Sequence, residues 1–267
     1  MLMKVAKRSK RWVIILAAFL AAVIILVSGG WWLFGPKSVV PAAPKEVKNT
    51  PVPNPAPVPV AVTAPIVPDA HIPAVVNGVA PVVYKVSTKE PVVFLGIDDG
   101  AYKNQEVIDL LAKNHIKASL YLADLFIRSN PSFFKGVIAT GSVVEDHSIN
   151  HDTNMSTKPY DYQKKEICGM ADLDQAYFGH RPIFFRPPGG AYTLATQQAA
   201  AACGMKAVVT WVAKANGGAM QYQYGHELHA GDVVLMHFRP EFKQDLQAFI
   251  DAETAAGLHT ELLEDWL

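Results

Sequence analysis

From Pro91 onward the chain alternates short β-rich runs with stretches of helical period, and this alternation constrains the fold more than any other feature. Strands are expected at about 92–97, 118–123, 142–145, 183–186, 206–211, 232–237 and 258–262. Helices are expected near 104–114, 131–140, 160–179, 193–203 and 241–256, the second of them starting at Pro131. Such an order builds a parallel sheet with right-handed crossovers. About seven repeats in about 175 residues predict an α/β fold, a small distorted (β/α)7 barrel, with an open doubly wound sheet as the competing architecture. No glycine-rich phosphate loop follows the first strand, which argues against nucleotide binding.

Three compositional zones precede this domain. Residues 1–11 carry Lys4, Lys7, Arg8, Lys10 and Arg11 and no acid. Residues 12–34 begin with the unbroken apolar stretch Trp12 to Val27 and end in Trp31, Trp32, Leu33 and Phe34. At about 1.5 Å per residue, a helix of that length reaches across roughly 30 Å of hydrocarbon. The flanking cations predict a cytoplasmic N-terminus and a single-pass membrane anchor, with everything downstream extracytoplasmic. The alternative is a signal peptide cleaved near Val27-Ser28-Gly29 and a secreted protein, against which the aromatic cluster behind that site speaks. Residues 35–81 hold most of the chain's 19 prolines, mixed with Ala and Val. Spaced prolines fix φ and remove backbone donors, so an extended, semi-rigid linker is expected there. The domain proper is placed at 82–267. Val82-Val83-Tyr84-Lys85-Val86 has strand character, and part of Ile72 to Val86 is expected to pack on the domain.

The formal net charge is zero, and outside the N-terminal cluster no basic stripe occurs. Nucleic acid is therefore not an expected partner, and no protein partner is predicted. Cys168 and Cys203 form either one disulfide or two buried thiols, since spacing does not reveal whether they come within bridging distance.

Chemically capable residues fall at the ends of the expected strands. Asp98-Asp99 ends the first, His147 follows the third, Arg186 ends the fourth, Trp211 the fifth and His237 the sixth. The carboxyl ends of parallel barrel strands open on one face, so these residues should converge there. His147 and His151, four apart, are expected to aim at one divalent cation from a single helical turn, with Asp99 as the third ligand. Two His and one carboxylate leave positions open for water and substrate, the donor set of metal-assisted hydrolysis. Of Asp98 and Asp99, one carboxylate would ligate and the other serve as general base, with Gly100 permitting the turn. Arg186 in Arg186-Pro187-Pro188-Gly189-Gly190 is suited to brace a carboxylate. His237, ending Leu235-Met236-His237, is either a polar core residue or a proton donor at the site mouth.

Together these residues resemble the polysaccharide deacetylases, the NodB-homology or carbohydrate esterase family 4 group. Asp98-Asp99-Gly100 matches the end of that family's Thr-Phe-Asp-Asp-Gly run, and His147 to His151 its His-Ser/Thr-x-x-His. Arg186 to Gly190 matches its Arg-x-Pro-x-Gly, and Leu235-Met236-His237 its Leu-x-His. The resemblance covers about 90–262 and implies hydrolysis of acetyl groups from N-acetylated or O-acetylated carbohydrate, with cell-wall glycan the expected polymer. It implies Asp98 as base, Asp99, His147 and His151 as ligands of a divalent ion, Arg186 as the brace of Asp98, and His237 as acid. It further implies that the Gly189 N–H faces the oxyanion and that Trp211 and Leu235 wall the acetyl methyl. Zinc is the default ion for these ligand types, and cobalt also suits them.

One departure bears on function. The family carries an Asp three residues after its fourth-motif Trp, pairing with the catalytic His, and here that position is Lys214. Either another acid substitutes, with Asp232 and Glu227 the nearest in sequence, or His237 lacks a carboxylate partner. The second case admits a degenerate member that binds glycan or metal without efficient turnover. Ile97 and Ala101 also replace the usual Phe and Pro around the first motif, tolerable changes to apolar or small residues.

Overall fold

A computed structural model of the chain describes residues 67–266. The basic segment, the apolar stretch and the Pro-rich segment as far as residue 66 lie outside the described residues. Within them no helix is long and apolar enough to cross a membrane.

The strands are β1 (Val82–Val83), β2 (Val92–Asp99), β3 (Ser119–Leu122), β4 (Val143–Asp146), β5 (Phe184–Phe185), β6 (Ala207–Val209), β7 (Ala213–Ala215), β8 (Met220–Tyr222), β9 (Val233–His237) and β10 (His259–Glu261). The helices are α1 (Gln105–Lys113), α2 (Asp124–Ile127), α3 (Ser132–Ile138), α4 (Tyr160–Phe178), α5 (Leu194–Ala202) and α6 (Phe242–Ala256). Every strand and helix expected from residue 92 onward is present.

The sheet is ten-stranded, in the order β1-β6-β5-β4-β3-β2-β9-β7-β8, and β7–β8 is its antiparallel pair. Closure differs from the seven-stranded barrel expected. Strand β6 pairs with β1 and β7 with β8, and β6 does not pair with β7, so the sheet is curled but unclosed among the described residues. The last strand does not take a seventh barrel place either. Strand β10 pairs with Val92–Phe94, on the edge of β2 that β3 occupies further along.

Strand β2 is buried almost throughout because both of its faces are covered. Successive side chains alternate between them. Val93, Leu95 and Ile97 join Val234 and Met236 in a cluster with Val107, Leu111, Phe134 and Phe249 of the helices. Val92 and Phe94 face inward, with Val233, Tyr121 and Val209. The floor of this inner face is filled by Trp266, whose ring meets Phe94 edge-on at 5.6 Å. Ile72 packs there too, and its N–H donates to the Trp266 carbonyl at 3.0 Å. Two and four residues beyond Phe94 the inner face carries Gly96 and Asp98, so apolar floor gives way to polar site along one strand.

Strand β5 has only two residues, and a side chain completes its attachment. The Glu145 carboxylate accepts from the N–H groups of Ile183 (3.1 Å) and Phe184 (2.8 Å). Burial, and then the neighbouring Glu264, raise the Glu145 carboxyl well above its usual range. On the outer side Cys168 in α4 and Cys203 at the end of α5 form a disulfide, with Cα atoms 4.9 Å apart. Closing a loop of that length is worth about 3–4 kcal/mol in the chain-entropy model.

A raised carboxyl pKa in the folded state means that stability is lost as pH rises from the ordinary carboxylate range through the raised value. Urea melts at a series of pH values should therefore show Glu145→Gln, which keeps an acceptor for both N–H groups, losing less stability on alkalinisation than wild type. Glu145→Ala, which leaves both N–H groups without an acceptor, should lose about 2–3 kcal/mol at acid pH, a deficit that narrows as wild type loses stability on alkalinisation.

Candidate active site

Asp98 and Asp99 end β2, and the left-handed turn at Asp99 (φ 77°) and Gly100 (φ 81°) lets both carboxylates reach His147, where a regular strand would send them to opposite faces. The Lys103 ammonium holds this turn by donating to the carbonyls of Gly100 (2.9 Å) and Phe126 (2.7 Å). Asp98 lies buried on the inner face and accepts from Arg186 Nη1 at 2.6 Å. Arg186 is itself fully buried. Its guanidinium lies 3.9 Å from the centroid of the Tyr121 ring, and its Nε donates to the Val209 carbonyl at 3.3 Å.

Room for that guanidinium comes from Gly96. A Cβ at residue 96 would lie 2.4 Å from Arg186 Nη1 and 2.8 Å from its Cζ, so no larger residue fits without displacing the arginine. Neither Gly96 nor Tyr121 was expected to matter from the sequence. An isolated glycine inside a strand is the signal that marks such a close approach.

His147 is buried at the end of β4, and its Nδ1 contacts the Arg186 carbonyl at 2.6 Å. A carbonyl only accepts, so Nδ1 carries a proton, and Nε2 faces Asp99 Oδ1 (3.5 Å) and Asp98 Oδ2 (3.7 Å). His151 Nε2 lies 3.0 Å from the same Asp99 oxygen. The two histidines do not share a helical turn, contrary to expectation. Ser148 (φ 70°) and His151 (φ 50°) are left-handed, and carboxylates fix the loop in place of helical hydrogen bonds. Asp146 accepts from the Ser148 N–H, and Glu166 takes both the backbone and the side-chain amide of Asn150. Phe126 packs edge-on against the His151 ring.

Asp99, His147 and His151 each offer one ligand atom, all within 4.8 Å of one another, the only such group of three among the described residues. Asp99 Oδ1 is buried with no other hydrogen-bond partner. Two imidazoles and a carboxylate with their ligand atoms gathered in this way fit a divalent cation. Burial opposes the Asp99 charge, but the hydrogen bonds and attraction of His147 and His151 outweigh it and hold this carboxyl far below its usual range. The Asp99 hydrogen bond in turn raises His151, against the opposing effect of burial.

Trp211 follows β6 and packs on Gly190, where an added Cβ would lie 2.7 Å from its ring. Leu235 and His237 alternate on the inner face of β9, and His237 pairs in register with Asp98 across to β2. Burial lowers the His237 pKa, against the raising influence of Asp98 and Asp99. Neither acid weighed as its partner is in place. Asp232 lies just before β9, roughly 16 Å from His237 along the strand direction, and is engaged by Lys85 (2.9 Å) and the His229 N–H (2.8 Å). Glu227 is exposed and lies beside His229. Lys214 sits in β7 opposite Leu235; its neighbours Ala213 and Ala215 pack in the helix-side cluster, which turns Lys214 to the inner face.

Replacing Gly96 by Ala should displace Arg186 and cost about 3 kcal/mol in denaturant unfolding, because a buried ion pair is broken as well as overpacked. Cation binding should also depend on pH in a stated direction. With His151 raised above its ordinary value, a proton competes for its ring at pH 6.5 and below. Calorimetric titration with a divalent ion should show affinity falling about tenfold per unit as pH drops through that region, and levelling at higher pH.

Residues 85–208 match the family model described as polysaccharide deacetylase. An uncharacterised protein of Streptomyces coelicolor is 36% identical over 156 residues, covering 58% of this chain and 62% of that protein. A protein of Bacillus cereus named peptidoglycan-N-acetylglucosamine deacetylase is 26% identical over 167 residues, covering 58% of this chain and 76% of that one. In the first three curated relatives the matched part is about three fifths of the relative's own length. Among solved structures, a carbohydrate esterase family 4 pseudoenzyme from Bacillus anthracis has the same fold at a TM-score of 0.60 and 20% identity, covering 69% of this chain and 68% of that one. The matched segment contains Asp98, Asp99, His147, His151, Arg186 and Gly189, whereas Trp211, Lys214, Leu235 and His237 lie beyond it. Residues 85–208 are thus similar in sequence to the polysaccharide deacetylases, and the described residues share the fold of carbohydrate esterase family 4 structures.

Proposed function

We propose that the protein is a metal-dependent deacetylase of N-acetylated or O-acetylated carbohydrate, acting on cell-wall glycan outside the cytoplasm. The observation that carries this reading is the pairing of buried Asp98 with Arg186 beside the Asp99–His147–His151 cluster and across from His237. The Bacillus cereus relative's name supports the choice of polymer. The disulfide suits an oxidising compartment. The apolar stretch 12–34 and the Pro-rich segment behind it suit a membrane tether with a spacer.

Asp99, His147 and His151 would hold the ion, zinc by preference, and the ion would supply Lewis acidity at the acetyl carbonyl and acidify the attacking water. Asp98 takes the proton from that water. Arg186 occupies Oδ1 of Asp98 and fixes the carboxylate's orientation, which leaves Oδ2 to accept. The Gly189 N–H faces the oxygen on which charge develops. Trp211 and Leu235 wall the acetyl methyl. His237 delivers a proton to the leaving amine or alcohol. Its lowered pKa makes it a stronger acid that is less often protonated at neutral pH, so turnover should fall as pH rises above that value.

A second reading, a member that binds glycan or metal without efficient turnover, is favoured by one observation. Among the described residues no carboxylate hydrogen-bonds to His237, and Lys214 stands on the inner face of the adjacent strand. Acetate release from peptidoglycan, chitin oligomers and acetylxylan separates the two readings. In the active case Asp98→Asn should lose about 10²–10⁴ of kcat while binding metal at unchanged stoichiometry. Full activity in that variant would remove Asp98 from the mechanism, and absence of acetate release by the metal-loaded wild type on all three polymers would leave the binding reading.

A further inference from the structure

Beside the catalytic opening, three large aromatic side chains are left to solvent. Tyr84 after β1, Tyr192 before α5 and Tyr224 after β8 are 52%, 43% and 77% exposed. They come from separated parts of the sequence, yet they line one open cleft of about 300 Å³ together with Gly189, Gly190 and Trp211. Isolated exposed aromatics are ordinary, but several rings around one concavity mark a binding surface. The cleft is continuous with the candidate site, because Gly189 and Trp211 belong to both.

Past Trp211 the surface dips again. Gln223 donates to the Trp211 carbonyl at 2.8 Å, and these two residues form a ridge between the tyrosine cleft and a second depression of about 250 Å³. That depression is lined by Lys214, Gln221 and Tyr222, with Trp211 and Gln223 on its near side. Lys214 is the one charged residue lining either depression. No carboxylate among the described residues lies within ion-pair distance of it. Flat apolar rings, amide side chains and a lone ammonium along one groove match the faces, hydroxyls and a single negative charge of an acidic sugar chain.

We propose that this groove binds an extended polysaccharide, stacking sugar rings on Tyr84, Tyr192 and Tyr224, and that Lys214 pairs with a carboxylate carried by the polymer. The lysine is thereby a specificity residue for an acidic glycan. The proposal rests on the deacetylase reading only for where the reacting sugar sits.

Binding is tested on chelator-treated full-length protein, so that no turnover is needed. Calorimetry compares N-acetylglucosamine di- and tetrasaccharides with tetrasaccharides in which alternate sugars bear a carboxylate ether. Wild type should bind the tetrasaccharide more tightly than the disaccharide, and should prefer the acidic tetrasaccharide by about fivefold, a preference that shrinks with salt. Tyr84→Ala and Tyr224→Ala should each weaken tetrasaccharide binding about threefold to tenfold and flatten the dependence on length. Lys214→Met should remove the preference for the acidic chain while leaving the neutral chain bound. Melting curves matched to wild type establish that these substitutions leave the fold intact. Tyrosine variants with wild-type length dependence would overturn the groove, and a Lys214→Met variant that still prefers the acidic chain would overturn the charge pairing. Groove binding without acetate release from any polymer would sustain this inference and sink the deacetylase reading. Acetate release with no effect of the tyrosines would do the reverse.

Discussion

Arg186 organises the site from both of its ends. Its guanidinium holds Asp98 while its backbone carbonyl fixes the ring of His147, so one residue sets a candidate base and a candidate ligand together. Burying such a pair is expensive unless the remaining groups are met, and here the Tyr121 face and the Val209 carbonyl meet most of them. The support reaches further down. Arg186 directly follows a two-residue strand that Glu145 attaches to the sheet, and Gly96 leaves the space into which the guanidinium extends. The candidate site therefore depends on a strand, a buried acid and a missing side chain, none of which would touch a substrate.

Around that pair the backbone is strained where the ligand atoms gather. Asp99, Ser148 and His151 are all left-handed without being glycine, a conformation that costs about 1–3 kcal/mol per residue and persists only when its surroundings over-determine it. The surroundings do so through charged hydrogen bonds. Lys103 grips the Asp99–Gly100 turn, Asp146 takes the Ser148 N–H, and Glu166 takes two donors of Asn150. The strain and its supports are local, within a few residues of the ligands on each loop.

Much of this was legible in the sequence, for reasons that also explain the rest. Long helical periods and β-branched runs such as Val92 to Ile97 identify elements, and the fall of Asp98, His147, Arg186 and His237 at strand ends brought them to one face. Strands β7 and β8 went unseen because Ala-Lys-Ala and Met-Gln-Tyr are three residues each, too short for their alternation to stand out, and they exist by pairing with β9 and with each other. They extend the sheet beyond β9 without pairing to β6. The His147–His151 spacing suited a helical turn, but spacing does not report φ, and Asp146 and Glu166 decide that loop. Proximity in sequence likewise suggested Asp232 for His237, although a strand of five residues carries its two ends far apart.

The floor of the curled sheet has a practical consequence. Trp266 and Ile72 meet there, on the side where the parallel strands begin, whereas the candidate site residues gather where those strands end. Both ends of the described chain thus leave from the pole opposite the opening. A surface linkage made beside Ile72 or Trp266 would leave the candidate site on the side facing away from that surface.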